Sequence, residues 1–230
     1  MQHRYRQPAG FSLIELLIVI ALMAVLAGLV LPSSNPGMHD QLRSAARIMA
    51  TDLAYGRSLA VANNSKYRFT FDPANNRYLL EHIGDDSRLD TLPESLFSTP
   101  EDRADEAETA REQWIVDLDG LPSMGSPVRV VAVAGVGRYL DRIRDVGDYL
   151  EMIQETGADL ENLDQLEFGP LGETSPNETT LIWLSAGRGS AQRYIVLQVD
   201  PVTGLATIGP YSGHGPPKQL LQNPPLGVSP

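Results

Sequence analysis

Gly10-Phe11-Ser12-Leu13-Ile14-Glu15 opens the stretch that decides the architecture, which continues through residues 16–31 (LLIVIALMAVLAGLVL) to Pro32. Residues 11–31 are 21 in number and carry a single charge, Glu15. As a helix this run is about 31 Å long, close to the hydrocarbon thickness of a bilayer. The competing reading is a buried core helix, but such helices are usually shorter and amphipathic, and this one is apolar all round. The preceding residues 1–10 (MQHRYRQPAG) hold Arg4 and Arg6 and end in the small residues Ala9 and Gly10. An ordinary secretory signal places its small residues after an apolar run of about 7–15 residues. Here they come before a longer one, so the span is expected to stay with the protein. Positive charge retained on the cytoplasmic side sends the C-terminal bulk outward.

Glu15 needs an explanation of its own, since an ionisable group inside a membrane span costs about 2.5–3.5 kcal/mol on insertion scales and normally has a partner or a task. A glutamate about one turn into a helix can also snorkel to the headgroups. The pattern of Gly10, then Phe11-Ser12-Leu13-Ile14-Glu15, then an unbroken apolar helix with Pro32 near its end, closely resembles the class III leader of type IV pilins and type II secretion pseudopilins. The resemblance implies that a prepilin peptidase cuts between Gly10 and Phe11 and methylates the new Phe11 amine. It places Glu15 at the fifth position after the cut, where the family keeps a glutamate. Glu15 of one subunit would then neutralise the Phe11 amine of a neighbour as helices pack into a filament.

Beyond Pro32, Ser33-Ser34-Asn35-Pro36-Gly37 is a break signal. Helical periodicity then returns, with Leu42, Ala46, Met49, Leu53 and Ala60 on one face and Arg43, Arg47, Asp52 and Arg57 largely on others. The period changes to two at Lys66-Tyr67-Arg68-Phe69-Thr70-Phe71-Asp72. The turn-rich Asp72-Pro73-Ala74-Asn75-Asn76 and a return strand over 77–83 complete a predicted hairpin. Further strands are predicted over 113–118, 128–134, 179–184, 193–199 and 205–208, the last three forming a meander, and helical spacing over 101–112 and 139–156. Residues 53–60 (LAYGRSLA) and 184–189 (LSAGRG) resemble elements of the GspH/FimT group of minor pseudopilins and minor pilins.

The chain's net charge of −11 is unevenly spread. Residues 81–117 hold twelve acids against three bases, and residues 141–167 nine against two, so these stretches carry 21 of the 29 acids. Within them, residues 84–112 and 141–167 read as insertions in the head. So negative a surface repels phosphates, and nucleic acid is a disfavoured partner; a small local patch of Arg188 and Arg193 is the exception. The acids invite a calcium reading, but they lack EF-hand spacing, and a solvated charged loop is expected instead.

No cysteine is present, which removes thiol catalysis, thiolate metal sites and disulfides. His3, His39, His82 and His214 are isolated, without metal-ligand spacing or a local Ser/His/Asp motif. Gly187-Arg188-Gly189-Ser190 lacks the ending of a phosphate loop and is flanked by strands, so it reads as a hairpin turn. No catalytic residue, metal or cofactor is expected.

The fold class expected is α+β and pilin-like, a long N-terminal membrane helix followed by an antiparallel β-sheet head. Its segments are a leader (1–10), a transmembrane helix (11–32), an amphipathic helix (33–62), a β-rich head with acidic insertions (63–210) and a flexible Pro/Gly-rich tail (211–230). The function the resemblance implies is that of a minor pseudopilin-like subunit of a type II secretion pseudopilus. The alternative is a minor type IV pilin in pilus assembly, adhesion or DNA uptake. Either implies a single-pass protein of the bacterial inner membrane with a periplasmic head. Its expected partners are the prepilin peptidase and other pilin or pseudopilin subunits.

Overall fold

The computed structural model describes residues 13–30, 37–93, 113–121, 128–136 and 160–222. They fall into two units, residues 1–35 and 36–230. The first contributes one helix, α1 (Leu13–Val30). The helical spacings expected over 101–112 and 139–156 lie outside the described residues.

The second unit is built on α2 (Met38–Asn63), whose buried positions Leu42, Ala45, Ala46, Met49, Leu53, Gly56 and Ala60 recur every three or four residues. That spacing lays one apolar stripe along the helix and leaves Arg43 and Arg47 exposed. Asn64 ends the helix in the left-handed conformation (φ 48°), and the Ser65 amide donates to the Ala60 carbonyl.

Two five-stranded antiparallel sheets receive the stripe. Sheet one holds β1 (Tyr67–Asp72), β2 (Arg77–His82), β3 (Gln113–Asp117), β6 (Gln165–Phe168) and β7 (Thr174–Ser175), in the order β3-β2-β1-β6-β7. Sheet two holds β4 (Arg129–Val136), β5 (Leu160–Asn162), β8 (Thr179–Ala186), β9 (Arg193–Val199) and β10 (Ala206–Ile208), in the order β10-β9-β8-β4-β5. The hairpin expected at Asp72 and the meander over β8, β9 and β10 are both present. Phe69, Tyr78, Leu80 and Phe168 from sheet one join Ile182, Leu184 and Leu197 from sheet two and the α2 stripe in one core.

Asn76 ties the sheets together. At φ 54° it closes the β1–β2 turn, and its side chain is buried. Its Nδ2 donates to the Val128 carbonyl (2.9 Å) and to Asp119 Oδ1 (2.7 Å), while its Oδ1 accepts from the Val130 amide. The Val128 and Val130 links run from a sheet-one turn to β4 and the residue before it, while Asp119 lies just past β3 of the same sheet.

Three expectations need correction. The second acidic stretch is not wholly an insertion, because β5 and β6 lie in it and β6 pairs with β1 in the middle of sheet one. Leu166 and Phe168 enter the core, while Glu167 faces outward and accepts from Arg68 at 2.8 Å. The Pro/Gly-rich segment after 210 is not a free tail over 211–222. Ser212 pairs with Tyr194, and a short helix, α3 (Lys218–Gln222), inserts Leu220 into a second apolar cluster with Trp183 and Val196. Asp52, expected off the apolar face, is buried.

Asp52 flanks the α2 stripe and accepts a hydrogen bond from the Tyr78 hydroxyl of β2. Burial lifts the Asp52 carboxyl to about 6, with the Tyr78 hydrogen bond opposing the rise. Burial and the neighbouring Asp52 push the Tyr78 hydroxyl well above its ordinary value. Because the folded state favours protonated Asp52, this group's contribution is complete below the unfolded carboxyl value near 4. It is lost as pH rises through about 6.

Gly56 marks the closest approach of helix to sheet, where an added Cβ would lie 2.4 Å from Phe69 Cε2 and 3.2 Å from Leu80 Cδ1. Gly56→Ala should therefore lower stability by about 1–3 kcal/mol through overpacking, read as a reduced denaturation midpoint of the full chain in detergent. Asp52→Asn should flatten the fall in stability that the wild type shows between pH 4 and pH 7, a change of about 3 kcal/mol at most. Urea titrations at closely spaced pH values measure that slope.

Candidate functional site

Glu15 sits in the first turn of α1, among Leu13, Ile14, Leu16 and Leu17. All the side chains described on this helix, at 13–23, are exposed, including Leu13 at 82% and Met23 at 68%. An apolar surface of this kind marks a contact with lipid or with other protein. The 18-residue backbone is about 27 Å long. The run of described side chains covers about 16 Å of it, and among the described residues no helix is long and apolar enough to cross a membrane. Gly10 and Phe11, the expected cleavage pair, lie outside the described residues.

In the head, the fold assembles a set that the linear sequence did not signal. Ser65 Oγ lies 2.6 Å from His82 Nε2, and His82 Nδ1 lies 2.6 Å from Asp90 Oδ1. These are the contacts of a Ser-His-Asp relay, brought together from the end of α2, the end of β2 and the turn after it. The imidazole is its buried member. The His82 side chain is fully buried, and the Tyr67 ring lies 5.0 Å from its ring. Gly84 sits so close that a Cβ there would be 2.0 Å from Ser65 Oγ. The His82 imidazole is thus held inside the head, with Ser65 and Asp90 at its edges. The set ties the α2 terminus to β2 and the 85–90 turn. The spacing of 17 and 8 residues between its members explains why no local motif revealed it.

His39 contacts Asp40 and the Tyr211 ring, and His214 stands exposed. Among the described residues no three His, Asp or Glu side chains are grouped as metal ligands. Arg188 and Arg193 flank the turn between β8 and β9 and are held differently. Arg193 donates to the carbonyls of Ser190 and Gln192 (3.0 and 2.8 Å), and Arg188 instead shares a recess with Arg129. Glycines at φ 84° and 56°, Gly187 and Gly189, turn the chain between β8 and β9 as a hairpin connection requires.

Residues 5–31 match the family described as the prokaryotic N-terminal methylation motif. The chain is also 43% identical over 75 residues to the type II secretion system protein H of Xanthomonas campestris pv. campestris. That match covers 32% of this chain and 44% of the relative, so the chain spans less than half the length of the curated protein it matches. The crystal structure of the minor pseudopilin EPSH from the type II secretion system of Vibrio cholerae aligns over 77% of this chain and 98% of its own, at 11% identity and a TM-score of 0.42. The type IV minor pilin FimU of Pseudomonas aeruginosa aligns over 75% and 90%, at 15% identity and a TM-score of 0.38.

The leader motif and the protein H match make the chain similar to the type IV pilins and pseudopilins. Over the 75 matched residues the likeness is to the GspH kind.

Proposed function

We propose that this chain is a minor pseudopilin-like structural subunit of a type II secretion pseudopilus. It is made with the leader 1–10, cut by a prepilin peptidase between Gly10 and Phe11, and methylated on the Phe11 amine. Residues 11–32 then hold it as a single span in the inner membrane, with the head on the periplasmic side. The observation that carries this reading is the methylation motif over 5–31, joined to an α1 that exposes apolar side chains around a lone carboxylate. The protein H match favours the secretion assembly over a pilus.

The work of such a subunit is assembly. A carboxylate among lipid chains is costly, and so is a protonated amine. When Glu15 of one subunit meets the Phe11 amine of another, each charge compensates the other, and the helix passes from bilayer to filament with neither left bare. The apolar surface of α1 is covered by neighbouring helices in place of lipid. No step of this requires a catalytic residue in the head.

Glu15→Leu separates processing from assembly. The variant should be cut and retained in the membrane as the wild type is, while its recovery in sheared filaments falls by tenfold or more, about the effect of 1.4 kcal/mol. Immunoblots of membrane and filament fractions read both steps. Normal recovery of the variant in filaments would remove Glu15 from the assembly mechanism.

A further inference from the structure

A recess lies at the end of sheet two. Its volume is about 530 Å³, and its lining includes Arg129, Val131, Ser185, Arg188 and Gln192. Arg129 stands opposite Ser185 in the β4–β8 ladder, so strand register fixes its place. Arg188 is held between two glycines of positive φ in the β8–β9 turn. That turn is pinned against the first turn of α2, since a Cβ on Gly187 would lie 2.8 Å from Met38 Cε and 2.8 Å from the Ala191 carbonyl. Gln192 Nε2 donates to Ser185 Oγ at 3.2 Å, leaving the serine proton available to a ligand.

Most other head arginines in the described residues are satisfied. Arg68 meets Glu81 and Glu167, Arg77 meets Asp72, Arg88 meets Asp86, and Arg57 and Arg193 donate to backbone carbonyls. In a chain of net charge −11, Arg129 and Arg188 nonetheless make no ion pair among the described residues, although they line one recess.

We infer that this recess binds a carboxylate side chain carried by an acidic segment of another protein. A guanidinium presents parallel N–H donors that match a carboxylate in bidentate fashion, and two of them at one recess favour a single anion there. Val131 supplies an apolar wall suited to the methylene stem of a glutamate. A polyphosphate chain fits poorly here. It needs a track of several cations, and the recess lining offers two. An acidic peptide can place one carboxylate in the recess and direct its other charges into solvent. The inference is independent of the assembly role proposed for α1.

The test uses the full chain in zwitterionic detergent, with fluorescein-labelled hexaglutamate as the probe and anisotropy as the readout. Hexaglutamine and a single-stranded oligothymidylate serve as comparison probes. The site predicts saturable hexaglutamate binding, none to hexaglutamine, and weakening of about tenfold or more by Arg129→Ala or Arg188→Ala, since each removes a charge-assisted pair. Arg188→Lys should recover only part of the loss, because the bidentate geometry is gone. Arg47→Ala, exposed on α2 away from the recess, should stay within about twofold, and equal unfolding temperatures confirm that each variant is folded. Absence of hexaglutamate binding, or an equal loss in Arg47→Ala, would overturn the inference. So would tighter binding of the oligothymidylate with the same arginine dependence, which would assign the recess to nucleic acid.

Discussion

The apolar stripe of α2 is the contact on which the head depends. Neither sheet closes on itself, and each has an inner face that must be covered. A single helix lies against both, with Leu42, Met49 and Leu53 buried between Phe69 and Leu80 on one side and Leu184 and Leu197 on the other. Gly56 allows the approach that seals this layer. Asn76 then links the sheets from their outer end, satisfying buried backbone groups that would otherwise be left without partners.

Helices α1 and α2 make a useful contrast. In α2 the apolar residues recur at helical spacing and are buried, while the charged residues between them are mostly exposed. In α1 the apolar residues occupy every side, and every side chain described is exposed. A helix of the first kind organises a core within its own chain. One of the second kind takes its cover from outside, from lipid or from copies of similar helices. In the proposed function both kinds of cover are used in turn, and Glu15 is the group whose compensation differs between them.

Much of this was legible in the sequence because the signals were periodic or contiguous. The α2 stripe and the period-two run at Tyr67–Asp72 each announced themselves, as did the apolar run of β8, buried on both faces (Thr179–Ala186). The strands β5, β6 and β7 did not, because they are two to four residues long and the first two lie inside an acid-rich stretch. Leu166 and Phe168 alternate with Gln165 and Glu167 over four positions, too few to outweigh the surrounding charge. Glu167 reads as solvated from composition and becomes a partner of Arg68 only once β1 and β6 are paired. The described part of the C-terminal segment depends on one anchor, Leu220, and on Ser212 opposite Tyr194. Proline and glycine content cannot signal either. The Ser65-His82-Asp90 set and the Arg129–Arg188 recess are products of tertiary structure. Their members come from different elements, so no spacing in the chain records them.

The central claim is that the N-terminal run is a processed pilin helix and not an ordinary membrane anchor. Intact mass and N-terminal analysis of the protein from its native membrane, with and without an active prepilin peptidase, test this most directly. The account predicts a chain beginning at methylated Phe11 when the peptidase is active and at Met1 when it is not. A chain that keeps Met1 in the presence of active peptidase, or one cut beyond Leu31, would contradict it.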